Sequence, residues 1–216
     1  MKADALAADR EAALKIVSVS RETLARLDAF VDLLLRWQPA VQLVANADLA
    51  KLWTRHIADS LQLLELKPQA KRWADLGSGG GFPGLVLALA LDKDAFVHLV
   101  ESDRRKAAFL REAVRVTAAP AKVYAERVES VAKRLARDVD VITARALAPM
   151  PRLLELAEPF FAASVPALFL KGQDVDNELT ESTKSWNIQA TIAASRTHPE
   201  GKIVIVERAS PRIGSS

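Results

Sequence analysis

The sequence predicts an α/β protein in which a mostly parallel sheet, covered by helices on both faces, follows an all-helical N-terminal extension. Three observations carry that prediction. Residues up to about 70 place their apolar side chains at helical spacing. From Trp73 onward, short apolar runs alternate with helical ones. The first of those runs closes on a glycine-dense loop, Asp75-Leu76-Gly77-Ser78-Gly79-Gly80-Gly81-Phe82-Pro83-Gly84. The expected division is a helical extension over 1–70, the sheet domain over 71–210, and a frayed tail over 211–216, with the loosening beginning at Ser210.

In the extension, the stretch from Arg21 to Trp37 sets Leu24, Leu27, Val31, Leu34 and Leu35 on one face, and residues 49–66 repeat the pattern as a second helix. Pro39 and Pro68 punctuate the two. Strands are expected at 73–76, 96–100, 122–124, 139–143, 167–170, 188–193 and 203–206, with a helix opening near Leu85 after the glycine loop. After the second strand, Ser102-Asp103 reads as a helix cap. The helix it starts turns Ala107, Leu110 and Val114 inward and puts Arg104, Arg111 and Arg115 on a common outer face, as a solvated stripe or a contact for phosphates.

A chain of 216 residues with 50% hydrophobic content can bury a substantial core. The longest apolar run, 85–91, is far shorter than the ~20 residues a membrane-spanning helix needs, and no apolar leader opens the chain, so a cytoplasmic protein without membrane attachment is expected. The absence of cysteine excludes disulfides, thiolate metal sites and a cysteine nucleophile. A net charge of +3 permits an anionic partner without requiring one. His56 lies in Arg55-His56-Ile57-Ala58-Asp59-Ser60 with Asp59 three residues on, and no second histidine stands at ligand spacing, so no metal is expected. His98 reads as a structural residue inside a strand, and His198 as loop surface.

Glycines at this density after a strand let backbone approach a nucleotide-like cofactor closely. Asp75 separates the candidates. An acidic group at the strand end suits the ammonium of S-adenosylmethionine, whereas beside a dinucleotide's pyrophosphate it would be repelled. The pattern Gly79-x-Gly81-x-x-Gly84, with Glu101 about 20 residues on, keeps an NAD-dependent oxidoreductase as the alternative. In a sheet of this kind ligands sit beyond the carboxyl ends of the strands, which gathers Asp75 to Gly81, Glu101, Glu126 to Glu129 and Arg145 around one crevice. Glu101 there can accept ribose hydroxyls, or it can simply favour a helix N-terminus. Val128 suits an adenine pocket. Arg145 and Lys171, at the ends of the fourth and fifth strands, are candidate anion binders, with an ordinary strand-end lysine as the plainer reading of Lys171.

With these residues assembled, the chain resembles the RsmG (GidB) family of bacterial small-subunit ribosomal RNA methyltransferases over about residues 33–208. The matching pieces are Arg55 to Ser60, Asp75 to Gly84, Glu101-Ser102 with Arg105-Lys106 and Phe109-Leu110, Arg127-Val128-Glu129, Arg145-Ala146 and Leu170-Lys171-Gly172. Gln42 and Glu101 depart from the family's usual Asn and Asp. The resemblance implies the Rossmann-like S-adenosylmethionine-dependent methyltransferase sheet with an N-terminal helical extension, and methylation of guanine N7 in 16S rRNA of the small subunit. By position it implies cofactor contacts at Gly77, Phe82, Val128, Glu129 and Arg145, to which the reading above adds Asp75, Gly79 and Glu101. Arg55, His56, Arg104, Arg111 and Lys171 are the candidates for contact with RNA. Guanine N7 carries a free lone pair, so no general base is expected and the mechanism is one of positioning. A monomer is the expected state.

Overall fold

A computed structural model describes residues 2–212 of the chain. Its sheet is built from β1 (Arg72–Leu76), β2 (Phe96–Val100), β3 (Ala121–Tyr124), β4 (Val141–Arg145), β5 (Ala167–Lys171), β6 (Trp186–Ala194) and β7 (Lys202–Pro211), in the order β3-β2-β1-β4-β5-β7-β6. β1 to β5 are parallel, and β7 runs antiparallel between β5 and β6. Chain order reverses between β1 and β4, and that switch point is where the glycine loop emerges. β1, β2, β4 and β5 are buried at four of five positions, as strands covered on both faces must be. β6 is buried only at Trp186 and then mixes half-buried and exposed positions, because its outer face meets solvent. All seven expected strands are present: β2 has the expected bounds, β4 is shifted two residues toward the C-terminus, and the other five are longer by one to six residues.

One face of the sheet is covered by α2 (Arg21–Trp37), α5 (Gly84–Ala90) and α6 (Arg104–Thr117), through Leu27, Phe30, Leu89, Phe109 and Leu110. The other carries α7 (Val128–Leu135), α8 (Met150–Ala162) and α9 (Val175–Ser182), with Val131, Leu135, Leu153, Leu154 and Phe160 against Ile142 and Phe169. The extension thus shares a core with the sheet. Phe30 of α2 lies 5.4 Å from the ring of Phe82 in the glycine loop and 6.2 Å from Phe109 of α6. Arg26 donates to the backbone oxygens of Leu89, Thr117 and Ala118, satisfying carbonyls at the ends of α5 and α6 that no intrahelical N–H reaches.

The second helix of the extension differs from expectation. Instead of one helix over 49–66 there is a 3-10 turn (Asn46–Lys51), a π-helical turn (Trp53–Ala58) and the short α3 (Asp59–Leu61) and α4 (Leu63–Leu66). Side chains that compete for its backbone account for the breaks. Asp9 of α1 (Lys2–Ile16) accepts from the N–H groups of Trp53 and Thr54 at 2.8 and 3.2 Å, and the Ser60 hydroxyl donates to the His56 carbonyl at 2.6 Å. The tail also differs. Ser210 and Pro211 belong to β7, and the Arg212 N–H donates to the Ser185 carbonyl at 2.8 Å, so order persists to 212. Beyond Val206 β7 pairs with β6 alone, where the missing N–H of Pro211 breaks no central ladder. Residues 213–216 of the expected tail lie outside the described residues.

Gly84, the first residue of α5, is pressed against β1 and β2: a Cβ there would stand 2.4 Å from Asp75 Cβ and 2.6 Å from Leu99 Cδ2. Gly84→Ala is expected to destabilise the protein by about 2 to 3 kcal/mol, lowering the melting temperature by roughly 4 to 12 °C. An unchanged thermal melt would show that β1 and α5 can separate freely.

Candidate active site

Beyond the carboxyl ends of the parallel strands lies a cleft of about 1030 Å³. The glycine loop forms its floor. Gly77 and Gly79 have φ of 73° and 52°, a region that L side chains rarely adopt, and they leave bare backbone on the cleft wall. Glu101, at the tip of β2, is 8% exposed and lines the same cleft. Its two oxygens accept from the N–H of Gly79 at 2.8 Å and of Asp103 at 2.7 Å, bracing the loop against the turn before α6. Asp103 in turn caps that helix, accepting from the N–H groups of Arg105 and Lys106 as the sequence suggests. Val128 and Glu129, the first residues of α7, complete this side, with Glu129 paired to Arg152.

Asp75 is not on the cleft wall. Its carboxylate is 1% exposed, accepts from Thr143 Oγ1 at 2.8 Å and from the Gly84 N–H at 3.0 Å, and so ties β1 to β4 and to the start of α5. The expected partner for a cofactor ammonium is therefore an internal brace. The pleat of β1 sends this side chain into the layer beneath α5 rather than over the strand tip. Burial raises its pKa to about 6, against the pull of its hydrogen bonds and of Arg145.

Arg145, Phe82 and His56 form a stack on the wall shared with the extension. The guanidinium lies 5.2 Å from the centre of the Phe82 ring, and the His56 ring lies 4.9 Å from it. Arg145 donates to the Arg55 carbonyl at 3.0 Å and to His56 Nδ1, and stands 3.7 Å from Asp59 Oδ2. An arginine only donates, so Nδ1 is an acceptor and the imidazole is the neutral form with its proton on Nε2. Burial, then Arg145 and Arg55, hold the His56 pKa down to about 3. The same burial lowers the Arg145 pKa against the pull of Asp59, Asp75 and Asp48.

Of the other expected site residues, Arg55 and Lys171 line the cleft, and Lys171 is already paired with Glu178 at 2.5 Å. Arg104 and Arg111 are exposed and absent from the cleft. Arg111 borders a separate groove at the β3 edge beside Lys122, Tyr124 and Arg134. The arginine stripe of α6 faces outward, as helical spacing predicts, and Lys106 is the α6 cation that reaches the cleft. His198 lies on a loop as expected, half-exposed, and the β6–β7 turn brings it to the cleft. That turn is held by Asp59 Oδ1, which accepts from Thr197 Oγ1 at 2.7 Å and Ser195 Oγ at 3.1 Å. Nothing in the sequence signals this contact, because its partners stand 136 and 138 residues apart. His98 is buried with Nδ1 3.0 Å from the Tyr124 hydroxyl. Among the described residues, no group of three or more His, Cys, Asp or Glu could hold a metal ion, and no helix is long and apolar enough to cross a membrane.

Residues 23–204 match the family of rRNA small subunit methyltransferase G. The chain belongs to that family. The ribosomal RNA small subunit methyltransferase G of Nitrobacter hamburgensis is 56% identical over 208 residues, 95% of this chain and 80% of that protein. The corresponding protein of Bradyrhizobium sp. (strain BTAi1) is 55% identical over 204 residues, 94% and 92% of the two chains. Among solved structures, the O-methyltransferase from Bacillus cereus in complex with SAH shares the fold, with a TM-score of 0.61 at 14% identity, covering 96% of this chain and all of that one. Membership in the family leaves the oxidoreductase alternative without support.

The depressed His56 pKa makes a prediction about acid stability. The unfolded state takes up a proton near pH 6.5 and the folded state only near pH 3, so this contribution is complete above 6.5 and is lost as pH falls toward about 3. Asp75 works in the opposite sense, losing stability as pH rises from 3.8 through about 6. Replacing His56 by Gln isolates the first effect. Between pH 7.5 and 5 the wild-type protein should lose about 2 kcal/mol relative to that variant in urea unfolding, and parallel pH profiles would show that His56 is protonated in the folded protein.

Proposed function

We propose that this protein transfers the methyl group of S-adenosylmethionine to N7 of a guanine in 16S rRNA of the small ribosomal subunit. The observation that carries the reading is the convergence of the bare Gly77–Gly79 backbone, Glu101 and Val128 on one cleft, in a chain of the small-subunit rRNA methyltransferase family. The cleft residues suit this cofactor. The glycine loop offers backbone without side chains, Glu101 keeps carboxylate lone pairs beyond the two that receive N–H groups, and Val128 supplies an apolar surface for adenine. Gly77, Gly79, Phe82, Glu101, Val128 and Glu129 are the residues assigned to hold it. Asp75 contributes by fixing the loop rather than by contact. Bound there, S-adenosylmethionine supplies a methyl group whose transfer leaves a neutral thioether and puts one positive charge on the guanine.

Because N7 is unprotonated at neutral pH, the chain needs no general base. Its residues act by orientation, which in favourable cases lowers a barrier by ~7 to 11 kcal/mol. A cation held against N7 would oppose the developing charge. Arg145 is accordingly assigned to the cofactor carboxylate or an RNA phosphate, for which the stack on Phe82 and the bond to His56 hold the guanidinium rigid. Arg55 and Lys171 are assigned to the RNA side of the cleft. Single-stranded RNA bases are read by being splayed out of the stack, and a cleft this open admits one. The protein is expected to act as a monomer in the cytoplasm.

Labelled methyl transferred to small subunits from a strain lacking the gene should appear as 7-methylguanosine after nuclease digestion. Label in another nucleoside would refute the N7 assignment. Glu101→Ala and Arg145→Ala should each raise KM for S-adenosylmethionine at least tenfold, or, for Arg145, raise KM for subunits instead. An Arg145→Ala enzyme unchanged in both constants would remove that residue from the site.

A further inference from the structure

Asp48 is left unused by the reading above. It lies in the 3-10 turn Asn46–Lys51 and lines the cleft, with its side chain 26% exposed. The less exposed carboxylates of the cleft are committed. Glu101 accepts two backbone N–H groups, Asp59 accepts from Thr197, Ser195 and Gln62, and Glu178 holds Lys171 and the Met150 N–H. Asp174 and Glu200 stand exposed at the rim. Asp48 is half-buried, and among the described residues its side chain has only two ion-pair neighbours, Arg55 Nε at 3.5 Å and His56 Nε2 at 3.8 Å. Neither is within good hydrogen-bond reach.

His56 supplies the second, independent observation. Its side chain is nine-tenths buried, Arg145 fixes its proton on Nε2, and that N–H has no hydrogen-bond partner. The acceptor before it is Asp48 Oδ2. A buried donor left unmatched costs free energy, so it favours whatever arrangement draws the Asp48 carboxylate toward it. The carboxylate is thus tethered on one side by Arg55 and His56, with acceptor capacity left over.

A carboxylate is a poor neighbour for an RNA backbone, whose phosphates it repels. What it fits is a pair of adjacent N–H donors. Of the four RNA bases only guanine offers two on neighbouring ring positions, N1–H and N2–H, spaced to meet both oxygens of one carboxylate. Adenine and cytosine present a single amino group beside an acceptor, and uracil a single N–H between two carbonyls. N7 lies on the far side of the purine from N1 and N2, so a guanine held this way keeps its reacting nitrogen clear of the carboxylate. The negative charge also sits near a base that becomes cationic, in the sense that favours the reaction.

We propose that Asp48 selects the target base, its carboxylate accepting the N1–H and N2–H of guanine, with His56 and Arg55 as positioning residues that hold it. This rests on the methyltransferase reading of the same cleft. The test uses the full-length enzyme and small subunits reconstituted with 16S rRNA that carries either guanosine or inosine at the nucleotide mapped by the labelling experiment. Inosine keeps N7, O6 and N1–H and lacks only the 2-amino group. Wild-type kcat/KM should fall about tenfold or more on inosine. Asp48→Asn should lose at least as much on guanosine and then show less than a twofold difference between the two bases, with its melting temperature and its affinity for S-adenosylmethionine unchanged. His56→Asn, which keeps an acceptor for Arg145 but lacks the Nε2–H, should weaken the discrimination, and His56→Gln should restore it.

Equal methylation of inosine and guanosine by the wild-type enzyme overturns the assignment without any variant. Penalties for Asp48→Asn and for inosine that simply multiply overturn it as well, because they would show that the two groups do not meet. An enzyme that labels no guanine at all refutes the guanine-methylation reading and this inference with it, an outcome distinct from both of the others.

Discussion

The fold turns on a carboxylate that never reaches solvent. Asp75 joins three elements at the switch point of the sheet: its own strand β1, β4 through Thr143 Oγ1, and α5 through the Gly84 N–H. Gly84 has no room for a side chain because Asp75 occupies the space, and the loop from Gly77 to Phe82 is therefore strung between two fixed ends. Remove the acid and a buried N–H at the start of α5 loses its acceptor. The energetic tension is visible in the raised pKa of Asp75, since a charge is being kept in a place that disfavours it in order to aim a loop.

The second organising contact is the stack of Arg145, Phe82 and His56, and it explains why an N-terminal extension belongs to the site. Phe82 is part of the glycine loop, Arg145 ends β4, and His56 comes from the π-helical turn. π-helical turns are frequent at functional sites because their widened ring redirects a side chain. Here the turn buries Trp53, His56 and Ile57 together. Phe30 packs the same Phe82 ring from α2. The extension therefore supplies a wall of the cleft as well as a layer of the core.

Much of this was legible in the sequence, for identifiable reasons. The strands of a doubly covered sheet are continuous apolar runs, so 73–76, 96–100 and 167–170 stand out without any periodicity. The α2 helix is legible because its apolar stripe faces a single partner layer. The segment from Asn46 to Leu66 was not, because side chains from α1 and from its own turns compete for its backbone, and hydrophobic spacing carries no record of that competition. Asp75 shows the limit most sharply. Sequence places an acid at a strand tip but does not say which way it points, and here the pleat turns it inward. On α6, helical spacing places the arginine stripe outward, as the structure has it, but does not single out Lys106, five residues before Arg111, as the cation that reaches the cleft.

The β6–β7 turn bears on how the protein is made. Asp59 and Gln62, close to the first strand, hold Ser195, Arg196 and Thr197, which follow β6. During synthesis the glycine loop, β2 and β4 emerge well before that turn, and the β6–β7 hairpin that carries it is the last part of the sheet to be translated. Until the hairpin docks, the Asp59 carboxylate lacks two of its donors and the cleft lacks the wall that bears His198. While the chain is still being translated its pocket is therefore incomplete, and the cleft gains its last wall only after the sheet's final strand has been made.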